Sequence, residues 1–329
     1  MNDRAVSVLE EYDLEVLRTW KGRGAILFET KEGTRILKEY TGITERLVWQ
    51  NTLLTHIREQ GDRKVEEILP NKEGELWTKD QDQITYIVKT YPQGRECSIR
   101  EPEECGQAME RLAGLHRKMH MHVEPGQGMS VRTSLPLAKE YEKHNRELKR
   151  VRKFLRDKSQ KSDFEFYLLK NYDLFLEKAV SVSKEWEQYC ERKADPPSAS
   201  KDIWCHGDFQ HHNIILENGD MHVINFEKCG LDSQIRDVYL FFRKFLEKTN
   251  WSAATGEKLL KAYERENPLD KEDMTQLYYR LLYPEKFWKI INFYYNAGRS
   301  WLPGKNIEKF EKLLRQEDEK ERFLRELFG

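Results

Sequence analysis

The sequence predicts an α+β chain of two lobes. A small N-terminal lobe, about residues 1–91, is built on an antiparallel sheet with one helix; a larger, mainly helical lobe, about residues 92–329, is arranged around a hairpin at 203–227. Three observations carry this. Short alternating apolar runs punctuated by glycine turns fill the N-terminal segment. From Glu103 onward apolar residues recur mostly at helical spacing. The exception is Ile203 to Glu227, where a polar loop leads into two short apolar runs joined by Asn218-Gly219, a hairpin turn signal.

Leu14 to Trp20 alternates apolar and polar, as a half-buried strand does. Lys21-Gly22-Arg23-Gly24 is a tight turn, Ala25 to Thr30 a second strand, and Arg35 to Tyr40 a third, which carries Lys38. The first turn lacks the Gly-Lys-Ser/Thr end of a Walker A loop, but lies where a phosphate-covering loop belongs. Thr44 to Gln60 is helical, with Leu47, Trp49, Leu53, Leu54 and Ile57 roughly at helical spacing, Thr44 as N-cap and Gly61 as the stop. Val65 to Leu69, Leu76 to Thr78 and Ile84 to Thr90 complete a small sheet. Pro92 and Gly94 then break the pattern, as a hinge does.

Glu103 to His120 is a long helix, and Pro136 to Lys193 is helical in pattern throughout. Within it, Lys143 to Lys161 carries nine Lys or Arg against Glu147 and Asp157, the pattern of a solvated helix face or of a docking site for an acidic partner. Asp195 to Ser200, with Pro196-Pro197, is a linker into the hairpin. Met221 to Phe226 is the hairpin's returning strand, with Asn225 near its end. Leu231 to Lys248, Glu257 to Tyr263, Met274 to Leu282 and Glu285 to Tyr295 are helices; Ile307 to Leu314 and Phe323 to Phe328 form an amphipathic end that folds back on the large lobe.

Composition narrows the function classes. Lys plus Arg is 56 and Asp plus Glu is 57, a net charge of −1, so nothing global points to nucleic acid or an anionic membrane. No apolar run is long enough for a membrane span, and Met1 to Tyr12 lacks a signal peptide's apolar core. The five cysteines show no Cys-x-x-Cys spacing, which reads as free thiols in a reducing cytoplasm. Cys205, His206, His211, His212 and His222 match no common zinc pattern.

The chemistry sits in the order His206-Gly207-Asp208, four residues, Asn213, a hairpin, then Asn225-Phe226-Glu227. Phosphoryl transfer needs a carboxylate to orient the attacking hydroxyl, an oxygen ligand for the metal, and a second acidic group for the metal that bridges the phosphates. Protein kinases place these as His-Arg-Asp-x-x-x-x-Asn and Asp-Phe-Gly. His-Gly-Asp-x-x-x-x-Asn resembles the loop of aminoglycoside phosphotransferases and choline kinases. On that resemblance, Asp208 is catalytic, and Lys38, Thr90 and Tyr91 bind the nucleotide. Asn213, Asn225 and Glu227 are the metal ligands, with His206 and Asp237 supporting the loop. A kinase helix at 44–60 supplies a Glu to hold the Lys; Glu45 is the only acid in its first half.

Over nearly its whole length the chain also resembles the CotS-type spore-coat proteins. The residues are Gly94-Arg95-Glu96-Cys97, Cys205-His206-Gly207-Asp208 through Asn213, Val223 to Lys228, Tyr283-Pro284-Glu285-Lys286-Phe287-Trp288 and Trp301-Leu302-Pro303. The resemblance implies the two-lobed aminoglycoside-phosphotransferase fold, ATP and Mg2+ as cofactors, synthesis in the mother-cell cytoplasm, deposition in the spore coat, and other coat proteins as partners. Active phosphotransferases carry Asp where Asn225 stands, and an amide oxygen is a poorer ligand for a hard cation than a carboxylate. Glu227 lies on the same side of an extended chain and substitutes if that piece stays extended. Two readings follow. One is a coat protein that binds ATP between lobes with little catalysis; the other is an active phosphotransferase acting on a hydroxyl of a small molecule or coat protein.

Overall fold

Alternation builds the N-terminal sheet, with Phe28 and Leu37 fully buried beneath β2 (Ile26–Thr30) and β3 (Gly33–Glu39). The computed structural model describes residues 6–22, 24–124, 131–193, 203–296 and 303–329. Arg23, the Asp195–Ser200 linker and Trp301-Leu302 lie outside the described residues. With β1 (Arg18–Lys21), β4 (Ile68–Leu69), β5 (Thr78–Lys79) and β6 (Thr85–Thr90), these strands form a six-stranded antiparallel sheet of order β1-β2-β3-β6-β4, β5 pairing with β6. Val8, Leu9 and Tyr12 pack on Ile26, Phe28, Leu37, Tyr86 and Val88. Helix α1 (Thr44–Glu59) buries Leu47, Leu53, Leu54 and Ile57.

The chain divides into two compact units, and the sheet belongs to the first: Met1–Thr133, Ser200–Phe241 and Leu259–Pro268. This unit also holds β7 (Arg95–Glu96), α2 (Pro102–Lys118) and β8 (Trp204–Cys205). Strands β9 (Ile214–Glu217) and β10 (Asp220–Val223) form the hairpin, and β11 (Gly230–Leu231) pairs with β8. Asn218 and Gly219 both take positive φ, 52° and 87°, as a two-residue hairpin turn requires. β7 extends the hairpin through Arg95↔Leu216 and Glu96↔Ile215.

The second unit comprises Ser134–Ala199, Phe242–Lys258 and Leu269–Gly329. Its core joins α3 (Leu137–Asp157) and α4 (Asp163–Glu191) through Leu148, Leu155, Leu168, Tyr172 and Phe175, with Phe287 and Phe310 packed against them. The remaining helices in chain order are α5 (Ile235–Leu246), α6 (Ala253–Glu264), α7 (Lys271–Leu282), α8 (Glu285–Asn296), α9 (Pro303–Arg315) and α10 (Glu317–Phe328).

Three expectations are corrected. Thr44 is not a cap: Ile43 holds the extended N-cap position and no side chain caps the helix. The 136–193 run is two helices, because Ser162 and Glu165 form a capping box that starts α4 afresh. The helix expected from Leu231 starts at Ile235, since Gly230–Leu231 is used by the β8 pairing. In the basic run four of the nine cations pair with acids: Arg146 with Glu142, Arg152 and Arg156 with Asp173, and Lys158 with Glu165.

Candidate active site

Register on the sheet sets the first part of the site. Ile36 lies opposite Lys89 and Lys38 opposite Ile87, so Lys38 and Lys89 are diagonal neighbours on one face of β3 and β6. Two cations so placed need an anion between them. Glu227 supplies it: its Oε1 accepts from Lys38 Nζ at 3.0 Å and from Lys89 Nζ at 2.8 Å. Lys89 is 1% exposed and also meets Glu66 Oε2 at 2.8 Å. Burial alone would strip the proton from Lys89, but Glu66 and Glu227 outweigh it and raise its pKa. Burial likewise opposes the charge on Glu227, and Lys89 and Lys38 overcome it, holding the carboxyl far below the usual range.

Glu66 is the hub behind this pair. Its Oε2 accepts from Asn225 N at 2.8 Å, and its Oε1 from Phe226 N at 2.9 Å and Gln50 Nε2 at 3.3 Å. Thus α1 sends Gln50 to Glu66, and Lys38 pairs with Glu227 rather than with Glu45. The segment after β10 does not stay extended. Asn225 is left-handed (φ 66°, ψ 56°), and Phe226–Lys228 is a 3₁₀ turn, which brings Glu227 to Lys38. Asparagine tolerates that conformation better than most residues.

The loop carrying Asp208 is held from below. Asp237 accepts from His206 N at 2.6 Å and Gly207 N at 2.8 Å. It also meets His116 Nε2 at 3.3 Å, and His116 Nδ1 lies 2.8 Å from the Tyr263 hydroxyl. Burial keeps His116 neutral, so Nε2–H donates to Asp237 and Nδ1 accepts from Tyr263. His206 Nδ1 accepts from Asp208 N at 3.1 Å, which leaves Nε2–H to donate to Ile224 O at 3.0 Å and tie the loop to the hairpin. Gly207 has φ +77°, and a Cβ there would sit 2.2 Å from Lys228 O, so the position admits no side chain.

Asp208 is thereby presented with partners on both oxygens: Gln210 Nε2 at 2.6 Å and Lys228 Nζ at 2.8 Å. Burial pushes its pKa up, but Lys228 and Gln210 more than offset this and keep it ionised. Asn213 Nδ2 donates to Asp208 O at 2.8 Å, and Asn225 Nδ2 donates to Asn213 Oδ1 at 2.8 Å. A contiguous chain of contacts therefore links Lys38, Glu227, Lys89, Glu66, Asn225, Asn213, Asp208, His206 and Asp237.

Thr90 and Tyr91 take no part in that chain of contacts. Thr90 N donates to Glu67 O and Tyr91 N to Thr34 O. Strand alternation turns the Thr90 side chain away from the Lys89 face. Thr90, Tyr91, Pro92 and the network carboxylate Glu66 line one cavity of about 280 Å3. Glu66, Lys89 and Lys228 escaped the sequence reading. Lys89 had a signal, a lone cation ending the apolar run Tyr86-Ile87-Val88.

A family profile described as "Spore coat putative kinase YutH" matches residues 6–327. The chain belongs to this family. Solved structures similar to it share the fold. An aminoglycoside phosphotransferase from Alicyclobacillus acidocaldarius superposes with TM-score 0.78 at 17% identity, covering 98% of this chain and 94% of that one. Spectinomycin phosphotransferase in complex with ADP and spectinomycin gives 0.66 at 13% identity, covering 94% and 92%. Amicoumacin kinase in complex with AMP-PNP and Ca2+ gives 0.64 at 16% identity, covering 97% and 94%. This member of the spore coat kinase family has the kinase-like aminoglycoside phosphotransferase fold, an antiparallel sheet followed by a mostly helical remainder.

The donors at the loop suit a hard cation in type: the amide oxygens of Asn213 and Asn225 and the carboxylates of Asp208 and Glu227. Both carboxylates already carry ammonium partners, and among the described residues no cluster of three or more His, Cys, Asp or Glu is disposed to hold a metal. In donor type alone, these residues fit a divalent ion. Among the described residues no helix is long and apolar enough to cross a membrane.

Proposed function

We propose that this spore-coat family member binds ATP at the Lys38 site, with Lys38 at the phosphates and the Thr90–Pro92 segment at the adenine, and transfers phosphate weakly. One contact supports this reading above all: Lys38 Nζ reaches Glu227 at 3.0 Å across 189 residues of chain, joining the sheet lysine to the loop that carries Asp208. Asp208, ionised beside Lys228, would accept the hydrogen bond of an incoming hydroxyl on a remaining lone pair. His206 and Asp237 fix the loop backbone from which Asp208 projects. Magnesium, held by Asn213, Asn225 and Glu227, would neutralise charge on the phosphates. Asn225 supplies no negative charge to that ion, which is why transfer is weak. In the cell the protein is made in the mother-cell cytoplasm and deposited among other coat proteins, where nucleotide binding need not be coupled to turnover.

An active phosphotransferase is the second reading, favoured by the intact hydrogen-bonded cradle of Asp208. The deciding experiment is calorimetric titration of the full chain with ATP, with and without magnesium, in wild type and Lys38→Ala. Saturable binding that weakens about tenfold or more in Lys38→Ala, with little change in melting temperature, is expected for loss of one charge-assisted hydrogen bond. No binding to wild type at millimolar ATP would overturn the proposal. ATP turnover in the same samples separates the two readings.

A further inference from the structure

The second unit contains a cavity of about 200 Å3 whose wall is cationic. The end of α5 and the residues after it contribute Arg243, Lys244 and Lys248. Lys286 comes from the first turn of α8, and Lys309, Lys312 and Lys320 from α9 and α10. Only two carboxylates, Glu247 and Glu317, line the same space. Glu247 is shared by Arg243 and Lys286, and Glu317 pairs with Lys178. Among the described residues Lys244, Lys248 and Lys312 have no ion pair. Burial and then the nearby cations Lys286, Arg243 and Lys248 depress the Lys244 pKa, with Glu247 opposing them.

Lys320 is the most buried of these cations. It is 6% exposed; its ammonium reaches Leu282 O at 3.3 Å and lies 5.8 Å from the Trp251 ring centroid. A buried ammonium without a carboxylate of its own is costly to keep charged. Burial pulls its pKa from 10.5 down to about 8; Glu317 on its own helix and Glu247 just after α5 push it up, and Lys178 on α4 and Arg243 on α5 push it down. Cations gathered around this partly open cavity, Lys320 buried among them, repel one another less when an anion enters. Ammonium groups converging from four helices suit a compact, multiply charged group better than a flat one. Trp251, Leu281 and Leu313 add an apolar margin beside them.

We propose that this cavity binds a small phosphate-type anion, either free or as the phosphate group of a small ester. It is separate from the candidate active site, whose residues all lie in the first unit.

The test is calorimetric titration of the full chain with inorganic phosphate, pyrophosphate and glycerol phosphate at constant ionic strength. Because Lys38 also attracts phosphates, Lys38→Ala is titrated beside wild type, Lys320→Met and Lys244→Gln. The expected result is one saturable event retained in Lys38→Ala, at least about tenfold weaker in Lys320→Met, and several-fold weaker in Lys244→Gln. Affinity falls as pH rises through about 8, where Lys320 loses its proton, and this trend disappears in Lys320→Met. Tighter binding of glycerol phosphate identifies an ester as the source; tighter binding of the inorganic ions identifies the free anion. No saturation in Lys38→Ala up to about 10 mM, or equal binding in Lys320→Met and Lys244→Gln, overturns the proposal.

Discussion

Asn225→Asp places a carboxylate where the loop now has an amide. In the wild type, Asn225 Nδ2 donates to Asn213 Oδ1 at 2.8 Å, and Asn213 Nδ2 donates to Asp208 O at 2.8 Å. After the substitution two acceptors face each other, and Asn213 cannot turn its amide without giving up Asp208 O. Without metal, the protein loses one hydrogen bond and gains an acceptor-acceptor contact, a cost of ~1–3 kcal/mol. The left-handed backbone at φ 66° is not a further obstacle, because Asp visits that region nearly as readily as Asn. With a cation at a partly dehydrated site, one added carboxylate contributes ~1–3 kcal/mol, about one or two tenfold steps in affinity. The two effects separate experimentally. The melting temperature of Asn225→Asp should fall without magnesium, while magnesium-dependent ATP affinity and hydrolysis should rise. A variant that melts lower but shows no gain in either magnesium-dependent quantity would refute the assignment of position 225 to the metal.

Glu227→Gln leaves Lys89 with Glu66 alone and should cost about 3 kcal/mol at neutral pH, read by denaturant unfolding. Because the Glu227 pKa is depressed in the fold, its stabilisation is present above the ordinary value of 4.5 and drains away as pH falls below it; Glu227→Gln should flatten that acid limb, and parallel pH curves would contradict the pairing. Gly207→Ala combines a positive φ with a Cβ 2.2 Å from Lys228 O, so it should destabilise by ~2 kcal/mol or more and abolish ATP turnover, whereas a melting curve equal to wild type would show that the loop moves aside. Lys320→Met should stabilise by up to ~3 kcal/mol near neutral pH, the cost of charging a group whose pKa drops from 10.5 to about 8; that advantage shrinks as pH rises from about 8 towards 10.5, and an unchanged melting temperature at pH 7 would show Lys320 to be better solvated than its burial indicates.

Much of the fold was legible because periodicity reports local structure. The three N-terminal strands, the helix at 44–59 and the Asn218-Gly219 hairpin follow from alternation, helical spacing and a turn that needs two positive φ angles. Boundaries failed where a tertiary contact decides them. The strand Gly230–Leu231 exists because Trp204–Cys205 lies beside it, and no local pattern marks that pairing. The site divides in the same way. Asp208, Asn213 and Asn225 could be found by spacing, since the loop before the hairpin presents the first two and the segment just after it the third. Glu66 could not: its role depends on receiving Asn225 N and Phe226 N, 159 and 160 residues away. The path of the chain to Glu227 was not legible, because it depends on a left-handed residue at 225 that sequence alone does not reveal.

The charge arrangement bears on why an amide is tolerated at 225. Lys38 and Lys89 face Glu66 and Glu227, so two cations and two anions balance without nucleotide or metal. Glu227 Oε1 is the shared acceptor of both lysines. A phosphate arriving at Lys38 competes with that carboxylate directly. If Glu227 moves towards a cation instead, it releases Lys38 for the phosphate in the same motion, while Lys89 remains paired with Glu66 deep in the core. Nucleotide and cation then favour each other through one side chain, since each stabilises the arrangement the other needs. A third carboxylate at 225 would tip the empty site negative beside Glu66, which already receives the 225 backbone N–H at 2.8 Å. Asparagine keeps the charges among Lys38, Lys89, Glu66 and Glu227 in balance. On the proposed reading, that balance would favour stability of the ligand-free protein over metal-assisted transfer.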